Sequence, residues 1–109
     1  GRNKDLIIAG GYNIYPKEIE LILDEQRGVV ERAVIGVPHP DFGGWVVGIL
    51  VSDGTNSLDL EQITELVATS LAKFKQPRKL IVVDELPRNA MGKVQKNTLR
   101  DIYGSVLSD

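Results

Sequence analysis

The chain has 109 residues and a net charge of −2 at pH 7, and 42% of its residues are hydrophobic. This length suits one domain with one core. The slight acidity argues against a dedicated nucleic-acid binder, whose domain usually carries a basic excess. No apolar run approaches the roughly 20 residues of a membrane span, so neither nucleic acid nor a membrane is predicted as a partner.

Cysteine is absent from the sequence, and histidine occurs once, at His39. Disulfides and thiolate metal sites are therefore excluded. An intracellular protein is permitted, and we expect a cytoplasmic one. Because the carboxylates and the histidine form no cluster with ligand-like spacing, no metal site is predicted.

The first predicted element is a β-hairpin. Residues 6–15 contain two short β-prone stretches on either side of Gly10 and Gly11, which suit a turn with positive φ. Pro16 then begins a predicted helix, because a proline needs no N–H in the first turn. Apolar residues recur along this segment at helical spacing, and Gly28 is placed to end the helix.

The middle of the chain predicts two strands and a second helix. The stretches 29–37 and 45–51 are rich in β-branched residues, and the second is apolar throughout, as in a central strand covered on both faces. Next comes a helix of about four turns. We expect it to begin after Asp59, which is spaced for a capping box with Gln62, and to be ended by Pro77.

The last third predicts a strand over 78–86, a loop over 87–93 and a terminal helix over 94–107. Alternating strands and helices indicate an α+β fold: an N-terminal β-hairpin followed by a small mixed sheet with helices packed against it. Residues 1–109 are expected to form a single domain.

Two glycine-containing segments carry the residues of functional interest. Taken alone, Gly10 and Gly11 are a tight turn, and Lys93 is a solvated surface lysine. Arg2 and Lys4 are, on the same terms, an exposed charge cluster of little energetic value. Their order along the chain is more informative than any of them singly.

Four ordered blocks resemble the C-terminal domain of the adenylate-forming superfamily, which includes acyl-CoA synthetases, adenylation domains of peptide synthetases and luciferases. The blocks are GRNKDLIIAGGYNIYPKEIE at 1–20, GVVERAVIGVPHPDFGG at 28–44, LAKFKQPRKLIVVDELP at 71–87 and LPRNAMGKVQKNTLR at 86–100. They cover nearly the whole chain. The amino-acid sequence of the last block resembles that of malonyl-CoA and methylmalonyl-CoA synthetases.

The resemblance implies an acid–thiol ligase that works in two steps. A carboxylate, here malonate or methylmalonate, attacks the α-phosphate of ATP to give an acyl-adenylate and pyrophosphate, and the thiol of CoA then displaces AMP. This domain would be a mobile lid on a larger N-terminal domain that is absent from the sequence, and it would present a different face in each step. ATP and CoA would be substrates, with Mg²⁺ bound beside ATP mainly outside this domain. Residues 1–15 would hold the hinge and a glycine hairpin, and residues 87–96 the catalytic-lysine loop.

By the resemblance, Lys93 is the lysine of the adenylation step. Its compact charge suits the negative charge that gathers on phosphate and carboxylate oxygens, and Gly92 permits the sharp loop that aims it. Lys96 is expected to be a helix-face residue with a supporting basic role. A lysine that is exposed between steps would also be accessible to a lysine acetyltransferase, and acetylation would remove its charge.

The resemblance assigns the thioester step to the hairpin. Gly10, Gly11 and Tyr12 would line the passage for the pantetheine arm of CoA, because a Cβ at either glycine would intrude. Arg2 matches an arginine that contacts the ATP ribose, and Lys4 matches the hinge about which the lid turns. A hinge absorbs changes in φ and ψ and need not touch substrate.

The stretch 73–79 contains four cations in seven residues. One interpretation is a solvated helix end, whose cations favour the C-terminal dipole. The other is attraction of the CoA nucleotide phosphates, with Arg78 as the ligand. Gly44 and Gly48 stand where the family usually has larger residues, and this substitution predicts local loosening.

Two other functions remain open on the sequence. In the first, the lid serves the thiol of a carrier-protein arm rather than free CoA, although the basic stretch favours CoA. In the second, the chain is a non-enzymatic interaction module or nucleotide-binding domain whose pattern is coincidental. The domain alone is expected to be inactive, because it has no phosphate-cradling loop of its own.

Overall fold

The computed structural model of the chain describes residues 6–39, 43–54 and 58–105. Within these ranges the elements are β1 Ile7–Ala9, β2 Tyr12–Ile14, α1 Pro16–Asp24, β3 Val29–His39, β4 Gly43–Ser52, α2 Leu60–Ser70, β5 Lys79–Val83 and α3 Lys96–Tyr103. β1 and β2 form an antiparallel hairpin. In the second sheet β4 is central, antiparallel to β3 and parallel to β5. The predicted α+β fold, a hairpin followed by a small mixed sheet with helices, is confirmed.

The central strand β4 is buried on both sides, as its unbroken apolar run predicts. Successive side chains point to opposite faces, so the sheet has two separate cores. The core under the hairpin, α1 and α2 contains Ile7, Ala9, Ile14, Ile19, Leu23, Val34, Val46, Leu50, Ile63 and Val67. The core under α3 contains Ala33, Ile35, Val37, Val47, Ile49, Val51, Leu86 and Leu99. We call the two sides the hairpin face and the α3 face.

The hairpin turn has the geometry that its two glycines predict. Gly10 and Gly11 have φ values of 59° and 86°, as a two-residue turn of type I′ requires. The hairpin lies over β4 and the C-terminal half of β3, where a Cβ on Gly36 would come within 3.0 Å of the Ile7 side chain. The turn and the approach to the sheet therefore both depend on glycine.

The predicted loosening at Gly44 and Gly48 is wrong. A Cβ on Gly44 would lie 3.0 Å from the carbonyl oxygen of Ile8, which is backbone and cannot rotate away. A Cβ on Gly48 would lie 2.8 Å from a methyl group of Leu80. Both glycines are buried in β4, so the missing side chains allow close packing of the hairpin and of the core.

Helix α2 is shorter than predicted. Asp59 caps it as expected, since its carboxylate accepts the N–H three residues later at 3.1 Å. The helix nevertheless ends at Ser70, well before Pro77, and Leu71 is extended. The amide of Gln76 donates to the carbonyl of Leu71 at 3.0 Å, which satisfies an acceptor at the helix end. The helix thus ends before the proline, and a local side-chain hydrogen bond closes its end.

The predicted strand over 78–86 and helix over 94–107 are both shorter in the structure. Residues 84–95 lie between β5 and α3 and form a loop, which is closed by an isolated antiparallel bridge between Arg88 and Val94. We call this segment the lysine loop.

An ion pair joins the two faces of the sheet across the outer edge of β3. Glu20 belongs to α1 on the hairpin face, and Lys96 belongs to α3 on the other face. Their Oε2 and Nζ atoms are 2.8 Å apart, and the side chains are only 16% and 17% exposed. The same oxygen accepts the N–H of Val34 at 2.8 Å. Loss of this carboxylate would leave a poorly solvated cation and a strand-edge donor without their acceptor.

We expect Glu20→Ala to lower the free energy of unfolding by about 2 kcal/mol, because a hydrogen bond to a charged group contributes about 1.5–3 kcal/mol. Urea unfolding followed by circular dichroism measures the change. Glu18→Ala is the matched control: Glu18 lies on the same helix and pairs with Lys75 at 2.8 Å, but its side chain is 47% exposed. That exposed pair should contribute below about 1 kcal/mol. Equal destabilisation by the two variants would contradict the bridging role of Glu20.

Candidate functional site

The lysine loop is anchored at both ends in the core of the α3 face. Leu86 is buried in this core, and Val94 packs against it. The N–H of Gln95 donates to the carbonyl of Pro87 at 2.9 Å, next to the bridge that closes the loop. The ends are therefore fixed by apolar burial, whereas residues 88–93 between them are exposed.

Asn89 organises the exposed part of the loop with four hydrogen bonds. Its side-chain Oδ1 accepts the N–H groups of Met91 and Lys93, both at 2.9 Å. Its backbone N–H donates to the Lys93 carbonyl at 3.0 Å, and its carbonyl accepts from Gly92 at 2.9 Å. Gly92 has a φ of 84°, which favours glycine and agrees with the sharp loop predicted there.

Two further side chains bind carbonyl groups of the loop. The Arg88 guanidinium donates to the Gly92 carbonyl at 2.6 Å and also to the carboxylate of Glu31 on β3. The Gln95 amide donates to the Lys93 carbonyl at 2.9 Å. Sequence analysis missed these residues and Asn89. An asparagine before a glycine turn often accepts hydrogen bonds from the backbone with its side chain, and this signal could have indicated Asn89.

The ammonium group of Lys93 differs from those of Arg88 and Lys96 in having no ion-pair partner among the described residues. The residue is exposed, and across residues 6–39, 43–54 and 58–105 no carboxylate forms an ion pair with it. Lys96 lies on α3 as predicted, but its charge is already paired with Glu20. The loop thus holds its backbone tightly and presents to solvent one cation that has no ion-pair partner among the described residues.

The glycine hairpin presents a second surface. Tyr12 stacks on Phe74 with ring centroids 4.3 Å apart and remains 56% exposed. A Cβ on Gly11 would meet nothing within 4 Å. Apart from the positive φ, the described structure therefore gives no packing reason for glycine at this position.

The stretch 73–79 is not a helix end, so the dipole interpretation is wrong. α2 ends at Ser70, and residues Lys73–Lys75 form a separate 3₁₀ turn. Lys75 pairs with Glu18 at 2.8 Å and lies 5.7 Å from the ring centroid of Phe74. Lys75 is consequently engaged within the domain.

Arg78 lies against an aromatic ring at the start of β5. Its guanidinium carbon is 4.7 Å from the ring centroid of Trp45, and its N–H donates to the Val46 carbonyl at 2.8 Å. A stacked guanidinium keeps its polar edge available for an anion. Arg78 is exposed, so this polar edge is open to solvent.

The lysine loop and the glycine hairpin are not brought together. The loop packs on the α3 face and is tied to Glu31, whereas the hairpin packs on the opposite face over Gly36. These two β3 residues are about 16 Å apart at 3.3 Å per residue. The segments therefore lie on opposite faces and toward opposite ends of the sheet.

Two predicted site residues, Arg2 and Lys4, lie outside the described residues, so their assigned roles stay predictions. Among the residues that are described, no group of three or more His, Asp or Glu side chains is arranged to hold a metal ion. In the same part of the chain, no helix has the length and apolar character of a membrane span.

Comparison with known proteins identifies the family. Residues 18–93 match the model of the AMP-binding enzyme C-terminal domain. The chain is 42% identical over 106 residues to long-chain-fatty-acid–CoA ligase FadD13 of Mycobacterium tuberculosis, which covers 97% of this chain and 21% of the relative.

Two solved structures extend this similarity. ATP-bound MatB from Rhodopseudomonas palustris matches with a TM-score of 0.93 at 55% identity, covering 97% of this chain and 21% of that one. The o-succinylbenzoate CoA synthetase of Bacillus subtilis, in complex with an acyl-adenylate intermediate, matches with a TM-score of 0.84 at 39% identity, covering 92% and 20%. The chain spans about one fifth of the length of the relatives it matches. It belongs to the AMP-binding enzyme C-terminal domain family.

Proposed function

We propose that this chain is the mobile C-terminal lid of an ATP-dependent acyl-CoA synthetase, which converts a carboxylate, ATP and CoA to acyl-CoA, AMP and pyrophosphate. Similarity to proteins named as CoA ligases and synthetases supports this assignment. Residues 1–109 form the single lid, and ATP, Mg²⁺ and the acyl group bind mainly to an N-terminal domain of the same enzyme. Malonate or methylmalonate is the proposed acyl group, on the resemblance of residues 86–100. The lack of cysteine is compatible with a reducing compartment, and the cytoplasm is the proposed location.

The proposal rests on the opposite placement of the lysine loop and the glycine hairpin. Adenylation needs a cation at the reacting oxygens, and thioester formation needs an open passage for pantetheine. A domain that carries these features on opposite faces can offer only one of them to a fixed active site at a time. Rotation of the lid between steps follows, with Lys4 as the hinge.

In the adenylation step, the Lys93 ammonium neutralises charge on the carboxylate and the α-phosphate. Arg2 contacts the ribose of the same ATP. At about 4 Å and an effective dielectric near 20, one such charge pair contributes about 4 kcal/mol before desolvation is subtracted. That is enough for a rate effect of several hundredfold.

We expect Lys93→Ala in the full-length enzyme to slow acyl-adenylate formation by about 100-fold or more, because the cation acts on charge that develops in that step. Carboxylate-dependent exchange of pyrophosphate into ATP measures it. Thioester formation from supplied acyl-adenylate and CoA should change by less than about fivefold. Lys17→Ala, which removes an exposed lysine of α1, is the control. Adenylation at the wild-type rate by the Lys93 variant would refute the assignment.

In the thioester step, Gly10, Gly11 and Tyr12 line the pantetheine passage. A Cβ on Gly11 would meet nothing within 4 Å. This open space supports the role, because a ligand can approach the backbone there. Arg78, held against Trp45, is the proposed ligand of a CoA phosphate.

Gly11→Leu is expected to slow thioester formation by about tenfold or more, equal to about 1.4 kcal/mol of barrier, and to leave adenylation near wild type. Gly54→Leu is the matched control, since Gly54 has a φ of 80° and also nothing within 4 Å of its Cβ position. Both variants carry the same backbone strain, so only the first should affect CoA. The assignment fails if the two variants slow the thioester step equally.

The exposed Lys93 is also the proposed site of a lysine acetyltransferase, because acetylation would delete the charge that adenylation uses. Intact mass before and after treatment with such an enzyme and acetyl-CoA tests the idea. The wild-type chain should gain one acetyl group more than Lys93→Ala. Identical labelling of both proteins would exclude Lys93 as the site.

A further inference from the structure

We propose that Asn89 is a positioning residue for adenylation: its side-chain oxygen holds the lysine loop in the shape that aims Lys93. This inference rests on the proposed function of Lys93. It concerns a residue that would not touch substrate, and acts only through the loop backbone.

The geometry singles out one acceptor atom. Asn89 Oδ1 receives the N–H of Met91 and the N–H of Lys93 at 2.9 Å each, so one oxygen spans the turn on both sides of Gly92. An asparagine bonded in this way adds to the backbone hydrogen bonds that Asn89 makes with Gly92 and Lys93, and it satisfies two N–H groups that those bonds leave without an acceptor. Its removal frees both N–H groups at once.

The other anchors of the loop cannot take over this role. Arg88 and Gln95 both donate, and each binds a carbonyl group, those of Gly92 and Lys93 respectively. A donor cannot satisfy an N–H group. Without the Asn89 oxygen, the two N–H groups would turn to water, and the segment around Gly92 would sample several conformations.

The position of the Lys93 backbone matters because nothing else in the described structure directs its side chain. The ammonium has no ion-pair partner among the described residues, and the side chain is exposed. Its reach is therefore set by the place and direction of its Cα–Cβ bond. A misplacement of a catalytic group by about 1 Å can lower the rate by about 100-fold, so the geometry of the loop should affect the rate of adenylation.

The loop is exposed, so the same change should disturb folding little. Met91 is 91% exposed, and water can solvate the released N–H groups. A substitution that changes stability little and slows only one of the two reaction steps greatly indicates a positioning role.

The test uses the full-length enzyme and separates the half-reactions. Asn89→Ala is expected to lower kcat for acyl-adenylate formation by about 10- to 100-fold, with KM for ATP and carboxylate changed by less than about threefold. Thioester formation from supplied acyl-adenylate should stay near wild type. Asn89→Asp retains an oxygen at the same place and should recover most of the loss. Asn97→Ala, which removes an exposed asparagine of α3 that accepts from Arg100, is the matched control and should have no effect.

A double-mutant cycle shows whether Asn89 acts through Lys93. Asn89→Ala in the Lys93→Ala background should cost no further activity, because there is no ammonium left to aim. A further tenfold loss in that background would overturn the inference, and so would a failure of Asn89→Asp to recover activity. If Asn89→Ala does not fold, Asn89→Gln replaces it, since its oxygen is displaced by one methylene and should also slow adenylation.

Two failures remain distinguishable. Wild-type adenylation by Lys93→Ala would refute the proposed function itself. Slow adenylation by Lys93→Ala together with wild-type adenylation by Asn89→Ala would refute only the positioning role.

Discussion

Burial of β4 on both sides is the constraint on which the arrangement of this domain depends. A three-stranded sheet with apolar residues on both faces must be covered twice, and the chain does so in sequence order. The hairpin, α1 and α2 cover one face, and the segment after β5 crosses to cover the other. The two loops of functional interest are separated as a direct result. Their placement on opposite faces is thus a consequence of core formation and does not depend on catalysis.

Some of the charged side chains around the sheet are held in ion pairs within the domain, and others are not. Lys96 bridges the two layers through Glu20, and Arg88 ties the lysine loop to Glu31 on β3. These contacts fix the surroundings of the loop and are made by side chains whose charges are paired. Lys93 forms no ion pair with a carboxylate of the described residues, although its loop is held by these contacts. In the proposed adenylation step, such a cation would be a preorganised charge, since the loop bears the cost of orientation before substrate arrives.

Features that depend on neighbours in sequence could be predicted from sequence. The hairpin turn at Gly10 and Gly11, the cap at Asp59 and the two-sided burial of β4 all follow from local pattern, and the structure has each of them. The four ordered blocks also resembled one family, to which the chain belongs. The adenylation role of Lys93 is a prediction from that resemblance, and the compact charge of a loop lysine suits phosphate and carboxylate oxygens.

Features that depend on distant partners were decided by the tertiary structure alone. The close packing at Gly44 depends on the hairpin backbone lying above it. The partner of Lys96 is 76 positions away in the sequence, at Glu20. Periodicity and turn chemistry report on a few consecutive residues, whereas the approach of two surfaces depends on how the layers stack. For this reason the sequence by itself determined the order of the elements and the family and pointed to the lysine proposed for adenylation, and only the folded arrangement decided which charges are already paired and which way each loop faces.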